Sequence, residues 1–264
     1  MSATTPLVTA TLPEASIGVI TMNDPRRRNA LSEELIVDVV DAIDRIEALG
    51  ARVIILRAEP GVRTWSSGHN VRELPTNGRD PLAYNDPLRQ LVRRIQFCPM
   101  PIISMVEGGV WGGACEVVMT CDFVVAAENA TFAITPARMG VPYNVAGVLN
   151  LMRSANITLV KEMLFCARPI EAPRALTVGL VNYVVPLDQL ESQTFDLARE
   201  IVANAPMVIA LLKEELRVLS AASPLVPETF ERIQSMRRAI YDSADYQEGI
   251  RAFFEKRRPC FRGE

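Results

Sequence analysis

Histidine occurs once in these 264 residues and tryptophan twice, and none of the five cysteines stands in a CxxC pair or beside a histidine. A zinc site needs several such ligands and a disulfide framework needs an even set, so neither is expected. Cys98, Cys115, Cys121, Cys166 and Cys260 are read as reduced and mostly buried. Nowhere do 18 uncharged apolar residues follow one another, which removes a membrane-spanning helix from consideration. The N-terminal MSATTPLVTATLPEAS has no basic stretch leading into an apolar run, so no export signal is read there and a soluble, cytoplasmic protein is expected. A basic excess is also missing: the net charge of −3 argues against nucleic acid as the main partner. Neither an internal repeat nor a low-complexity segment is visible. With 49% hydrophobic and 22% charged residues, the chain has the make-up of a folded globular protein. Its length suits one large α/β domain or a core with a helical appendage.

Residues 16–23 (SIGVITMN) and 51–58 (ARVIILRA) read as buried strands, and between them Leu35, Ile36, Val39, Val40, Ile43, Ile46 and Leu49 recur at helical spacing. Ser32 is placed to cap that helix, with Glu33 and Glu34 in its first turn, and the unit predicts a right-handed parallel crossover. From Pro60 to Pro87 the chain is rich in Gly, Pro, Asn and Asp and too long for a plain connector, as functional loops are. A helix through Leu88, Leu91, Ile95 and Phe97 follows, then a strand at 101–106 and a glycine turn opening a helix in EGGVWGGACEVVMTCD. Strands at 123–127 and 131–134 come next. Beyond Gly140 the pattern predicts helices at 145–154, 157–166, 171–178, 188–204, 206–222 and 227–256, with one extended piece near 183–185. The expected organisation is an α/β core over 1–198 and a helical part over 199–264.

Three features carry candidate chemistry. Gly112 and Gly113 between a strand and a helix leave unpaired N–H groups at the positive end of a helix dipole, an attractive place for negative charge; a plain tight turn looks the same. His69 lies in the polar loop SSGHN rather than on an apolar face, which suits a functional histidine or a merely exposed one. Glu116 opens an otherwise apolar helix, as a general acid or base or as a first-turn carboxylate favoured by the dipole. The runs Arg26, Arg27, Arg28 and Lys256, Arg257, Arg258 either hold phosphates or form solvated faces.

Taken in order, SSGHN (66–70), GGVWGGACE (108–116) and TFAITPARMGVPYN (131–144) resemble the crotonase (enoyl-CoA hydratase/isomerase) superfamily. The resemblance extends to PRRRNALS (25–32), APRALTVGLVNYVV (172–185) and AFFEKRRP (252–259), and so to nearly the whole chain. It implies a ClpP/crotonase ββα spiral core with a helical C-terminal part, assembled as trimers or dimers of trimers, without metal or organic cofactor. It also implies an acyl-CoA substrate whose thioester oxygen sits between the N–H groups of His69 and Gly113, an oxyanion hole that stabilises an enolate. On the same pattern, the CoA portion is held around Ser67, Gly68, Asn70 and Gly112. Its phosphates are placed near Arg28 or Lys256. Thr135 matches a substrate-contacting position, and Trp111 and Tyr143 are expected in the pocket wall.

One departure narrows the activity. Hydratases of this family use a second carboxylate on the loop after the helix of Glu116, and here Pro136 stands in its place, with Thr135 and Ala137 beside it. Adding water to a double bond needs one group to place the water and another to protonate carbon, so a typical hydratase is disfavoured. The loops are similar to those of family members that decarboxylate methylmalonyl-CoA, a reaction in which departing CO₂ leaves the enolate with no base required. His69 and Tyr143 are then the expected neutral donors orienting the α-carboxylate, and Tyr143, Glu116 and water the candidates for protonating carbon. The rival readings are a hydratase, isomerase or thioester hydrolase on the same fold, or a non-catalytic CoA-binding subunit.

Overall fold

Runs of valine and isoleucine without polar alternation belong in a sheet covered on both faces, and they set the middle of this molecule. The computed structural model describes residues 6–73, 86–220 and 227–261. In chain order the strands are β1 (Val8–Glu14), β2 (Ile17–Met22), β3 (Val53–Ala58), β4 (Thr64–Ser66), β5 (Ile102–Val106), β6 (Gly109–Trp111), β7 (Phe123–Ala127), β8 (Thr131–Ala133), β9 (Ile170–Glu171) and β10 (Tyr183–Val185). The helices are α1 (Glu33–Ala48), α2 (Pro87–Phe97), α3 (Gly113–Thr120), α4 (Val145–Ser154), α5 (Ile157–Lys161), α6 (Ala172–Thr177), α7 (Leu190–Val202), α8 (Pro206–Ser220), α9 (Pro227–Tyr241) and α10 (Ala244–Phe254).

The larger sheet has the order β1-β2-β3-β5-β7-β10, parallel except for the antiparallel β1-β2 pair. Every residue of β3 and β5 is buried. Alternate side chains go to opposite faces: Ile54, Leu56 and Ile102 join α1, α2 and α3 on one side, while Val53, Ile55 and Ile103 meet Leu190, Phe195, Ala198 and Ile201 of α7 on the other. The smaller sheet, β4-β6-β8-β9, takes β4, β6 and β8 from the short strands that follow β3, β5 and β7. The successive units β3-β4-α2 and β5-β6-α3 thus form the ββα spiral that the sequence resemblance implied, and they bring the ends of β4 and β6 side by side.

Ser32 caps α1 as expected, its Oγ accepting from the Leu35 N–H at 3.3 Å. Some elements differ from the sequence reading. β1 was not anticipated, although Val-Thr-Ala-Thr-Leu alternates; it is an edge strand whose ladder becomes irregular between Thr11 and Glu14, around Pro13. The helix expected over 227–256 is two, because Ser243 caps a new start by accepting from the Tyr246 N–H at 3.2 Å. The segment expected to be helical to residue 166 widens into a π turn over Glu162–Cys166 and stops at Ala167 in the left-handed region. The expected division at residue 198 falls inside α7, which packs on the main sheet. Of the loop expected from Pro60 to Pro87, residues 74–85, including LPTNGRDP, lie outside the described residues, as do 221–222 at the end of the expected 206–222 helix. Cys98, Cys115 and Cys121 are buried and Cys166 and Cys260 exposed, all as free thiols. Among the described residues no helix is long and apolar enough to cross a membrane.

α10 docks on the turn Pro136–Met139 at a point where only glycine fits: a β-carbon on Gly249 would stand 1.8 Å from the Met139 carbonyl oxygen. Gly249→Ala is therefore expected to cost about 1–3 kcal/mol through overpacking and to lower the melting temperature by several degrees. An unchanged thermal melt contradicts this account of the contact.

Candidate active site

The loop after β4 is tied to the segment before α1 by a web of buried polar groups. The Asn29 side chain accepts from the Asp24 N–H at 2.8 Å and donates to the Trp65 carbonyl at 2.9 Å, while Ser66 Oγ donates to the Asn29 carbonyl at 2.6 Å. The Ser67 N–H reaches the Arg28 carbonyl at 2.9 Å, and Trp65 Nε1 is anchored on the Met105 carbonyl at 2.9 Å. Leu31 donates to the Gly68 carbonyl at 2.8 Å and Asn70 to the Leu31 carbonyl at 3.4 Å, which makes a parallel bridge between residues 31 and 69. In such a bridge the N–H of the middle residue points away from its partner strand. The His69 amide is thereby turned outward and held there.

The second amide comes from the glycine turn. Gly112 has φ 56° and ψ −124°, a conformation that needs glycine, and its N–H is used by the Ala133 carbonyl at 2.8 Å. Gly113 is the first residue of α3, where no intrahelical acceptor exists for its N–H and the helix dipole is positive. Gly68, with φ 82°, brings the two turns together: a β-carbon on it would stand 2.3 Å from the Trp111 carbonyl oxygen and 3.0 Å from the Gly113 nitrogen. A β-carbon on Gly113 would in turn lie 3.7 Å from the His69 nitrogen. Neither amide donates to any described residue. Two neighbouring, unspent N–H groups are what an oxyanion needs.

In front of them opens a cleft of about 630 Å³, bordered by Ser67, His69, Leu88, Gly112, Gly113, Glu116, Thr135, Pro136 and Tyr143 among others. Two buried polar atoms on it have no partner among the described residues, His69 Nδ1 and Tyr143 Oη. Burial pushes the His69 imidazole below its ordinary pKa, against the opposing pull of Asp86 and Glu73, so it stays uncharged at neutral pH. Burial, reinforced by the Glu116 charge, raises the Tyr143 phenol well above its ordinary value and keeps its proton in place.

Glu116 borders the cleft and is the only carboxylate to do so among the described residues. Its Oε2 accepts from Asn144 Nδ2 at 3.4 Å and its Oε1 from Asn150 Nδ2 at 3.3 Å, and Arg89 Nη1 stands 3.5 Å from Oε1. Burial raises its pKa, with Arg89 and the two asparagines acting the other way. Asn144 also caps α4 through Gly147 at 2.7 Å and accepts from Arg89 at 3.2 Å, fixing the backbone directly after Tyr143. Among the described residues no three His, Cys, Asp or Glu side chains are grouped as metal ligands would be.

The remaining expected site residues are more spread out. Asn70 shapes the exit of the loop, donating to Glu73 at 2.8 Å and accepting from the Arg72 N–H at 3.2 Å. Arg28 contributes its carbonyl to the web, but its side chain is exposed, and neither it nor the exposed Lys256 borders the cleft. Trp111 departs from expectation: its indole folds back along its own strand onto Gly109, where a β-carbon would meet Nε1 at 2.2 Å, and it does not border the cleft. Residues two apart share a strand face, and the bare Gly109 gives the ring its seat; what Trp111 offers the site is its carbonyl, against Gly68. Asn29, Leu88, Arg89, Asn144 and Asn150 were not picked out as site residues from sequence, although Asn29 stands in PRRRNALS and Asn144 closes TFAITPARMGVPYN. Because His69 is the chain's single histidine, its titration is directly readable by NMR. The expected midpoint lies below the ordinary 6.5, and a midpoint at or above that value contradicts the burial argument.

The chain matches the enoyl-CoA hydratase/isomerase family over residues 13–264. It is 52% identical to methylmalonyl-CoA decarboxylase of Escherichia coli (strain K12) over 247 residues, which cover 94% of this chain and 95% of that relative. It is 34% identical to the mouse mitochondrial enoyl-CoA hydratase domain-containing protein 3, over 98% of this chain and 86% of that one. Among solved structures, methylmalonyl-CoA decarboxylase in complex with 2-nitronate-propionyl-CoA superposes with a TM-score of 0.96 at 50% identity, over 98% of this chain and 99% of the other. The same enzyme complexed with 2S-carboxypropyl CoA also gives 0.96, over 99% and 100% of the two chains. Sequence, fold and the paired amides agree that the chain belongs to the enoyl-CoA hydratase/isomerase family, within the crotonase superfamily.

Proposed function

We propose that this chain decarboxylates methylmalonyl-CoA, or a closely related 2-alkylmalonyl-CoA, to propionyl-CoA or its homologue. The observation that carries the reading is a pair of unspent amides beside two unpartnered neutral donors, in a cleft with Pro136 where a hydratase needs its second carboxylate. The thioester oxygen accepts from the N–H groups of His69 and Gly113. Tyr143 Oη and the His69 imidazole hold the α-carboxylate out of the thioester plane, so that the breaking C–C bond overlaps the carbonyl π system. Its electron pair moves into the carbonyl as CO₂ leaves, and the enolate oxygen is stabilised where it forms. A proton from Tyr143, Glu116 or a water in the cleft then completes C2. No step calls for a metal or organic cofactor, since the thioester itself takes the electron pair.

Neutral donors suit this step better than a cation. A positive charge on the carboxylate would stabilise the ground state and slow loss of CO₂, and Arg89, which stands beside Glu116, is engaged with it and with Asn144. We place the reaction in the cytoplasm and assign a trimer or dimer of trimers. The assembly is supported by the apolar face that α8 leaves exposed at Val208, Leu211, Leu212 and Leu219.

Assaying CO₂ and free CoA with methylmalonyl-CoA, and hydration with crotonyl-CoA, tests the reading. CO₂ release from the first without appreciable hydration of the second is expected, and Tyr143→Phe is expected to lower kcat on the order of 10²-fold through misorientation with CoA-ester binding nearly unchanged. Hydration of crotonyl-CoA with no decarboxylation, or release of free CoA alone, overturns it.

A further inference from the structure

The cleft is largely apolar apart from its donors, yet one apolar side chain stands closer to the reacting centre than its lining role suggests. Leu88 Cδ2 lies 2.9 Å from the point where a β-carbon on Gly113 would be, and the His69 nitrogen lies 3.7 Å from the same point. The Leu88 methyl therefore packs against the bare Cα of Gly113, at the rim of the oxyanion hole. A thioester oxygen sits about 2.9 Å from each donor nitrogen, and the carbonyl carbon and C2 follow within two bonds. A C2 substituent directed toward α2 then meets this methyl group.

Leu88 is also poorly able to yield. It is 2% exposed, inside the main core. It occupies the first turn of α2, where Pro87 presets the backbone and the Asp86 carboxylate caps the helix by accepting the Leu88 N–H at 2.9 Å. Arg89, the next residue, is fastened to Asn144 at 3.2 Å and faces Glu116 at 3.5 Å. A wall held by a helix cap on one side and an ion pair on the other does not retreat for a larger substituent.

We infer that Leu88 is the residue that limits the size of the C2 substituent, admitting hydrogen or methyl and selecting against ethyl and larger groups. This rests on the decarboxylase reading above and adds to it the substrate range and the residue that sets it. The carboxylate is taken by Tyr143, which arrives at the start of α4, and the alkyl group is left to the side built by α2. A fixed apolar wall discriminates by one methylene at about 10- to 200-fold, which is the expected preference for methylmalonyl-CoA over ethylmalonyl-CoA in kcat/KM.

The test compares malonyl-, methylmalonyl- and ethylmalonyl-CoA with the unaltered protein and with Leu88→Ala and Leu88→Val, checking folding by thermal melt. Leu88→Ala is expected to raise the ethyl-to-methyl ratio of kcat/KM by about 10-fold or more. Leu88→Val moves it in the same direction by less and stands in if the alanine variant does not fold. If the unaltered protein releases CO₂ from methylmalonyl-CoA but the ratio stays within about twofold in the folded variants, the role of Leu88 is wrong and the decarboxylase reading survives. If the unaltered protein releases CO₂ from none of the three esters, the decarboxylase reading itself fails.

Discussion

The approach of Gly68 to the Trp111–Gly113 turn, too close for any β-carbon at residue 68, is the constraint on which the rest depends. It makes two amides from different ββα units neighbours while leaving both unspent. An unpaired backbone donor away from water is costly, about 1–3 kcal/mol each, so the surroundings must over-determine the arrangement. They do so with the Asn29, Ser66 and Trp65 contacts on one side and the α3 start on the other. The buried strands β3, β5 and β7 supply the rigidity against which this local cost is set.

Electrostatics follow the same division between framework and reacting centre. The charges near the cleft are engaged with one another, Arg89 with Glu116, while the groups left facing the ligand space, the His69 imidazole and the Tyr143 phenol, are held neutral by burial. Such a cleft orients a carboxylate without clinging to it, and it favours the charge that develops on the thioester oxygen over the charge that departs. Glu116 is bound up in the framework through two asparagines even though it borders the cleft.

What was legible in sequence was local and backbone-based. Strands β2, β3, β5 and β7 announced themselves as apolar runs, Ser32 as a cap and GGACE as a turn that frees an N–H, because each depends on neighbours in the chain; the free amide in SSGHN came only with the family resemblance, since it is set by the bridge to Leu31. The misses share a different cause. Arg89, Asn144 and Asn150 meet Glu116 across a chain separation of 27 to 34 residues, and no periodicity records a contact of that kind. The three-residue strands β4 and β6 lie within segments that read as a polar loop and a glycine turn, unlike the equally short β8 and β10, whose surroundings are apolar. Trp111 was expected in the pocket wall on the family resemblance, but the empty face of Gly109 gave its ring a better seat. Leu88 looked like any core leucine of α2; its proximity to Gly113 arises only when α2 packs on α3.

The convergence of the two amides is tested most directly by the carbonyl stretch of a bound thioester, read by isotope-edited infrared difference spectroscopy of propionyl-CoA labelled at C1. Paired donation weakens the C=O bond, so the band is predicted to fall to lower frequency on binding and to return toward its free position in Gly68→Ala, where the added methyl forces the turns apart. A band that does not move on binding, or that moves equally in the variant, would contradict the account.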